Sequence, residues 1–301
     1  MSVWAGTRRG AAAVCCAAGT LATSASASSA RLMDWPELLG RPLPAPTERI
    51  AYGPGPMQFG ELWLPAGTGP FPVVLMVHGG CWLSSVATLG IMNYAADDLR
   101  RRGIAVWNIE YRGVDRPGGG YPGTFHDVAA GADALTRIAA DHPLNVGKVV
   151  ALGHSAGGHL VLWLAARPRL PAASALKTAA PLPIAGVVSL GGLPDLEPEA
   201  ARGVCGDGTI ARLVGVPSAG HPRVYAETSP AELGVGPEPQ VQINGEDDGI
   251  APPAFAHAYA AKMQGARLRT IVIPATGHVE LIAPGTAAWT QVVENLNALH
   301  R

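Results

Sequence analysis

Charge is scarce in this chain. Of 301 residues only 15% are Asp, Glu, Lys or Arg, and 22 basic against 23 acidic side chains leave a formal net charge of −1. There is no long Lys/Arg run, so neither nucleic acid nor an anionic membrane surface is the expected partner. Low charge together with 48% apolar residues excludes a disordered chain. Past residue 30 no strongly apolar run reaches the roughly 18 residues of a membrane span, so none is expected in the mature protein. HExxH, CxxC and Walker motifs are missing, and no metal or organic cofactor is expected. Gly 38 and Pro 27 are high but carry no G-X-Y period, which excludes collagen and leaves many tight turns. No internal repeat is visible.

Cysteine is also sparse, at four residues. Cys15 and Cys16 fall in a distinct leader. Arg8 and Arg9 form a small basic patch, Ala11 to Ala22 is weakly apolar, and Thr23 to Ala30 is a run of Ala, Ser and Thr. This reads as a signal peptide over residues 1–30, with cleavage after Ala27 or Ala30 and a periplasmic or secreted product. The alternative is a disordered Ala/Ser-rich leader. Cys81 and Cys205 remain, as a disulfide or as two separate buried thiols.

Residues 31–48 are Pro-rich and read as an irregular surface arm, followed by a single domain over 49–301. Strand and helix patterns then alternate. Strands are expected at Gly60–Leu64, Phe71–Val77, Ile104–Ile109, Lys148–Leu152, Ile184–Leu190, Gln240–Ile243 and Leu268–Ile273. Helices are expected at Asn93–Arg102, Thr124–His142 with Thr124 as N-cap, Ala156–Ala166, Pro253–Gln264 and Ala287–His300. The alternation implies an α/β fold with a mostly parallel sheet and helices on both faces. Residues 193–230 break the rhythm and read as a small cap insertion shaping a pocket. Ligands of such sheets bind at the carboxyl ends of the strands.

The densest chemistry is Gly153-His154-Ser155-Ala156-Gly157, a G-x-S-x-G between a strand and a helix. That context exposes Ser155 on a strained turn and directs the Ala156 N–H at a developing oxyanion. His78-Gly79-Gly80-Cys81-Trp82 follows a buried strand, and its Gly80 and Cys81 N–H groups are candidates for the rest of the oxyanion hole. Trp82 lines the substrate pocket or packs beneath this loop. A serine needs a base, and the base needs an orienting carboxylate. His278 follows the strand Leu268–Ile273 and precedes the last helix. Asp248 follows the strand at 240–243, with Asp247 and Asp195 as rivals. The order Ser155, Asp248, His278 is that of nucleophile, acid and base in α/β-hydrolases.

HGGCW at 78–82, GHSAGGH at 153–159, N-G-x-D-D-G-x-x-P at 244–252 and GHVELI at 277–282 together resemble α/β-hydrolase fold serine esterases. The resemblance covers about residues 50–301 and is closest to the branch of bacterial feruloyl/acetyl-xylan-type esterases and kynurenine formamidase-like enzymes. Its acid motif H-G-x-x-D-x-x-V-P has Asn244 for His and Ala251 for Val here, while Gly245, Asp248 and Pro252 keep register, favouring Asp248 over Asp247. The resemblance implies hydrolysis of a small-molecule carboxylic ester through an acyl-enzyme, without cofactor. Alternatives are an arylformamidase or serine peptidase on the same scaffold, or a catalytically silent binding protein of this fold.

Overall fold

The computed structural model describes residues 31–197, 203–263 and 267–301. The leader expected over residues 1–30 lies outside the described residues. Eight strands make one sheet: β1 (Glu48–Ala51), β2 (Phe59–Trp63), β3 (Phe71–Val77), β4 (Ala105–Ile109), β5 (Leu144–His154), β6 (Ile184–Leu190), β7 (Gln240–Gly245) and β8 (Leu268–Ile273). Their spatial order is β1-β2-β4-β3-β5-β6-β7-β8. β2 runs antiparallel to its neighbours β1 and β4, and every pairing from β4 to β8 is parallel. The described helices are α1 (Trp35–Leu39), α2 (Asn93–Arg101), α3 (Gly123–Ile138), α4 (Ala156–Ala166), α5 (Thr209–Val214), α6 (Val224–Thr228), α7 (Pro230–Leu233), α8 (Pro253–Lys262) and α9 (Ala287–His300).

Strand side chains alternate between faces, so an apolar run such as Phe71–Val77 feeds two cores. Val73, Leu75 and Val77 pack with α3 and α4 through Phe125, Val128, Leu160 and Trp163. Val74 and Met76 pack with α2 and α9 through Leu99, Trp289 and Val292 on the opposite face. The parallel register brings the carboxyl ends of β5, β6, β7 and β8 side by side, and the loops leaving them share one edge of the sheet.

The arm expected over 31–48 is structured. Asp34 Oδ1 accepts the Glu37 N–H and caps α1, and Leu38 is fully buried in the core beneath α2 and α9. Glu48 already belongs to β1. Thr124 is not an N-cap. Its helix starts one residue earlier, and its hydroxyl is committed to the preceding turn, donating to the Arg112 carbonyl and accepting the Gly120 N–H. That helix ends at Ile138 rather than His142. The stretch 193–230 carries α5, α6 and the start of α7, with Leu193, Leu196, Leu213 and Val224 buried in the α4-side core.

Candidate active site

Ser155 stands between β5 and α4 at φ 55° and ψ −122°, a left-handed backbone that a non-glycine residue rarely adopts. Its N–H donates to the Leu190 carbonyl at 2.8 Å, and its carbonyl starts α4 by accepting from Gly158 and His159. So tight a turn demands bare backbone around it. A Cβ on Gly157 would lie 2.1 Å from the Val77 carbonyl oxygen.

His278, beyond β8, donates Nδ1–H to Asp248 Oδ2 at 2.6 Å. Asp248, beyond β7, is buried, and its Oδ1 accepts the N–H groups of Ile250 (2.9 Å) and Ala251 (2.8 Å). These bonds aim the carboxylate and hold its charge in place. With Nδ1 carrying the proton, Nε2 of a neutral His278 is an acceptor. Gly191, past the end of β6 at φ +50°, closes the space behind this pair. A Cβ there would sit 3.0 Å from Asp248 Oδ2 and from His278 Nδ1 and Cε1.

The two rival acids are elsewhere. Asp247 is exposed. Asp195 takes the Ser229 hydroxyl and the Lys262 ammonium, at 3.2 and 3.1 Å. His154 packs its ring against His278 at 4.3 Å between centroids and donates Nε2–H to the His278 carbonyl. Burial first, then the neighbouring His278, push its pKa well below the ordinary histidine value, so it is neutral.

The loop after β3 runs through positive φ at Gly80 (102°), Cys81 (55°) and Trp82 (55°). Among the described residues no acceptor takes the N–H of Gly80, Cys81 or Ala156. Such a backbone is costly and is held from several sides. His78 Nε2 meets Glu110 Oε1 at 2.9 Å, and its ring stacks on Tyr111. Burial opposes ionisation of Glu110. The contact with His78 and the Leu89 and Tyr111 N–H groups outweigh it and hold the carboxyl below its ordinary range. Cys81 is joined to Cys205 by a disulfide with Cα atoms 5.3 Å apart. Trp82, expected on the pocket wall, is fully buried. Its indole N–H donates to His159 Nδ1 at 3.2 Å, because its strained backbone turns the side chain into the core.

Ser155, His278, Gly80 and Cys81 open onto one cavity of about 280 Å³. The rest of its wall is His154 and the apolar Trp35, Leu39, Val86, Ala87, Ile91 and Ile250. No described residue of 193–230 lines it. Cys205 ties that segment to the loop after β3. Sequence reasoning missed Trp35 and Leu39, which stand more than 100 positions before Ser155 and carry no motif. It assigned no role to Glu110, which directly follows β4.

An eight-stranded, mostly parallel sheet with a serine on a strand-to-helix turn and an Asp–His pair on the next loops defines an α/β-hydrolase. A family model, BD-FAE, matches residues 61–263. The chain belongs to the BD-FAE family, whose members share the α/β-hydrolase fold. It is 31% identical over 112 residues to a probable isoprenylcysteine alpha-carbonyl methylesterase, ICMEL1, of Arabidopsis thaliana, a match covering 37% of this chain and 23% of that protein. The structure is similar to esterase B from Lactobacillus rhamnosis, with TM-score 0.69 and 20% identity over 86% of this chain and 88% of that one. It is also similar to a bifunctional GH43-CE protein of Bacteroides eggerthii, with TM-score 0.67 and 19% identity over 83% of this chain and 38% of that chain.

Proposed function

We propose that this chain hydrolyses a carboxylic ester through an acyl-enzyme on Ser155. The observation that carries this is the 2.6 Å His278–Asp248 pair opening onto the same cavity as a Ser155 held at φ 55°. Ser155 Oγ attacks the carbonyl carbon while His278 Nε2 takes its proton. Asp248 keeps Nδ1 protonated and stabilises the imidazolium. The oxyanion is met by the Ala156 amide and by those of Gly80 and Cys81, each worth about 3 kcal/mol of transition-state stabilisation. His278 returns the proton to the departing alkoxide oxygen. Water, activated by His278 in the same way, then releases the acid and restores Ser155.

Export of the protein is part of the same proposal. The Cys81–Cys205 disulfide supports folding in an oxidising compartment.

The test compares wild type with Ser155→Ala on p-nitrophenyl esters, N-formylkynurenine and peptide anilides. We expect ester turnover in the wild type and a loss of more than about a thousandfold in kcat for a folded variant. Retention of more than about a tenth of kcat rules out Ser155 as nucleophile. Preference for the formamide or the anilide moves the activity to an arylformamidase or a peptidase. No turnover of any substrate leaves a binding protein of this fold.

A further inference from the structure

One wall of the cavity comes from a segment that the chemistry of Ser155 does not use. Trp35 and Leu39 stand on α1, a helix of only five residues. Such a helix has no stability of its own, and here tertiary contacts fix it. Leu38 is buried in the core. The Met33 N–H donates to Glu280 Oε1, and Glu280 Oε2 accepts from Gly277, the residue before His278. Arg41 donates to the Pro284 carbonyl at 2.9 Å, and the Tyr94 hydroxyl lies 3.2 Å from the Leu39 and Arg41 carbonyls. The segment is therefore docked onto the loop that carries His278.

Within this wall Trp35 is on the His278 side. Its ring stands edge-on to His154, 6.1 Å between centroids, and His154 packs on His278. His278 is the group that hands a proton to the leaving alkoxide, so the alcohol half of the ester lies on its side of the scissile bond. No Asp, Glu, Lys, Arg, Asn or Gln lines the cavity, and at its mouth Leu39, Val86 and Ile250 are among the few large apolar side chains exposed on the described surface. Nothing there matches a charged group or a row of hydroxyls.

We propose that Trp35 is the specificity-determining residue for the alcohol half of the substrate, and that this half is uncharged and apolar. The proposal rests on the assignment of His278 as general base and acid.

Two ester series separate the halves. One holds the acetyl group fixed and varies the alcohol: methyl, benzyl and a methyl-glucoside acetate. The other holds p-nitrophenol fixed and varies the acyl group from acetyl to butyryl. The readout is kcat/KM, which reports the steps through acylation. Wild type is expected to favour the benzyl ester. Trp35→Ala should lower the benzyl-to-methyl ratio about tenfold, with the butyryl-to-acetyl ratio moving less than about threefold. Trp35→Phe keeps an apolar ring and should keep the ratio. Independently of turnover, direct titration should show benzyl alcohol binding wild type and binding Trp35→Ala about tenfold more weakly. An unchanged benzyl-to-methyl ratio, an acyl ratio that shifts as much, or a wild-type preference for the glucoside acetate overturns the proposal. These ratios are taken within an active enzyme. Failure of the serine-esterase reading shows separately, as activity retained in Ser155→Ala.

Discussion

Asp247 and Asp248 are neighbours in sequence with opposite surroundings. One is exposed; the other is buried against His278 and takes two backbone N–H groups. Asp248→Asn places an amide where only an acceptor serves and turns His278 to the wrong tautomer. We expect a loss on the order of 10⁴-fold in kcat for Asp248→Asn, against less than about threefold for Asp247→Asn, both read by ester hydrolysis. The reverse ranking moves the acid to Asp247. His159 supplies a second prediction at this scale. Its Nδ1 accepts the Trp82 indole N–H and its Nε2–H donates to the Thr228 carbonyl at 2.8 Å, so a second ring proton has no place. Burial is the main cause of a pKa lowered from 6.5 to about 4, against which the Thr228 bond acts weakly. The unfolded chain takes this proton more readily than the folded one. The group's full contribution, about 3 kcal/mol, is present above pH 6.5 and is lost as pH falls through that value toward 4. Urea midpoints at about pH 7.5 and about pH 4.5 test this, and an unchanged midpoint sinks it.

At the scale of elements, the site is an edge effect. β5, β6, β7 and β8 deliver Ser155, Gly191, Asp248 and His278 in spatial order because the strands are parallel and in register. Gly191 has no chemistry, yet it is packed directly on the pair. In Gly191→Ala the new methyl group must displace Asp248 or His278 by a few tenths of an ångström, at a positive φ that already disfavours alanine. Misalignment of that order costs catalysis more than folding. We expect kcat/KM to fall about a hundredfold, with thermal unfolding close to wild type. Wild-type activity in this variant shows that the pair has slack. The loop after β3 illustrates the converse, a strained element that needs outside support. His78–Glu110, Trp82–His159 and Cys81–Cys205 hold it from three directions.

For the molecule as a whole, the disulfide is the longest-range covalent tie. It joins positions separated by 124 residues and links the loop after β3 to the insertion between β6 and β7. Removing it restores entropy to the unfolded chain, and for a loop of this length the loss of stability is at most about 5 kcal/mol. In Cys205→Ser we expect a lower urea midpoint together with a lower kcat, since Cys81 then loses its restraint. Dithiothreitol should reproduce both effects in the wild type and neither in the variant. An identical midpoint for wild type with and without reductant overturns the stabilising role.

The local signals in the sequence were strong where structure is local. Phe71–Val77, Ala156–Ala166, Ile184–Leu190, Leu268–Ile273 and Ala287–His300 have the bounds that periodicity and capping indicate, because each run is set by its own apolar spacing. The G-x-S-x-G turn was legible for the same reason: glycine at fixed offsets is a local requirement of the backbone. The approach of Asp248 and His278 was inferred from chain order and resemblance, while their 2.6 Å bond is a property of strand register. Trp35 lay beyond local reading, while for Trp82 and for Cys81–Cys205 the sequence left two alternatives open and packing decided between them. A five-residue helix is too short to announce itself, and Trp35 reaches the cavity only because Leu38 and Glu280 dock it there. Trp82 leaves the cavity because its backbone φ is positive, and Cys81 meets Cys205 because the insertion folds back over the sheet edge. Sequence alone determined the fold and which residues are candidates for its chemistry. Tertiary packing decided which side chains face the substrate, since that depends on contacts between residues far apart along the chain.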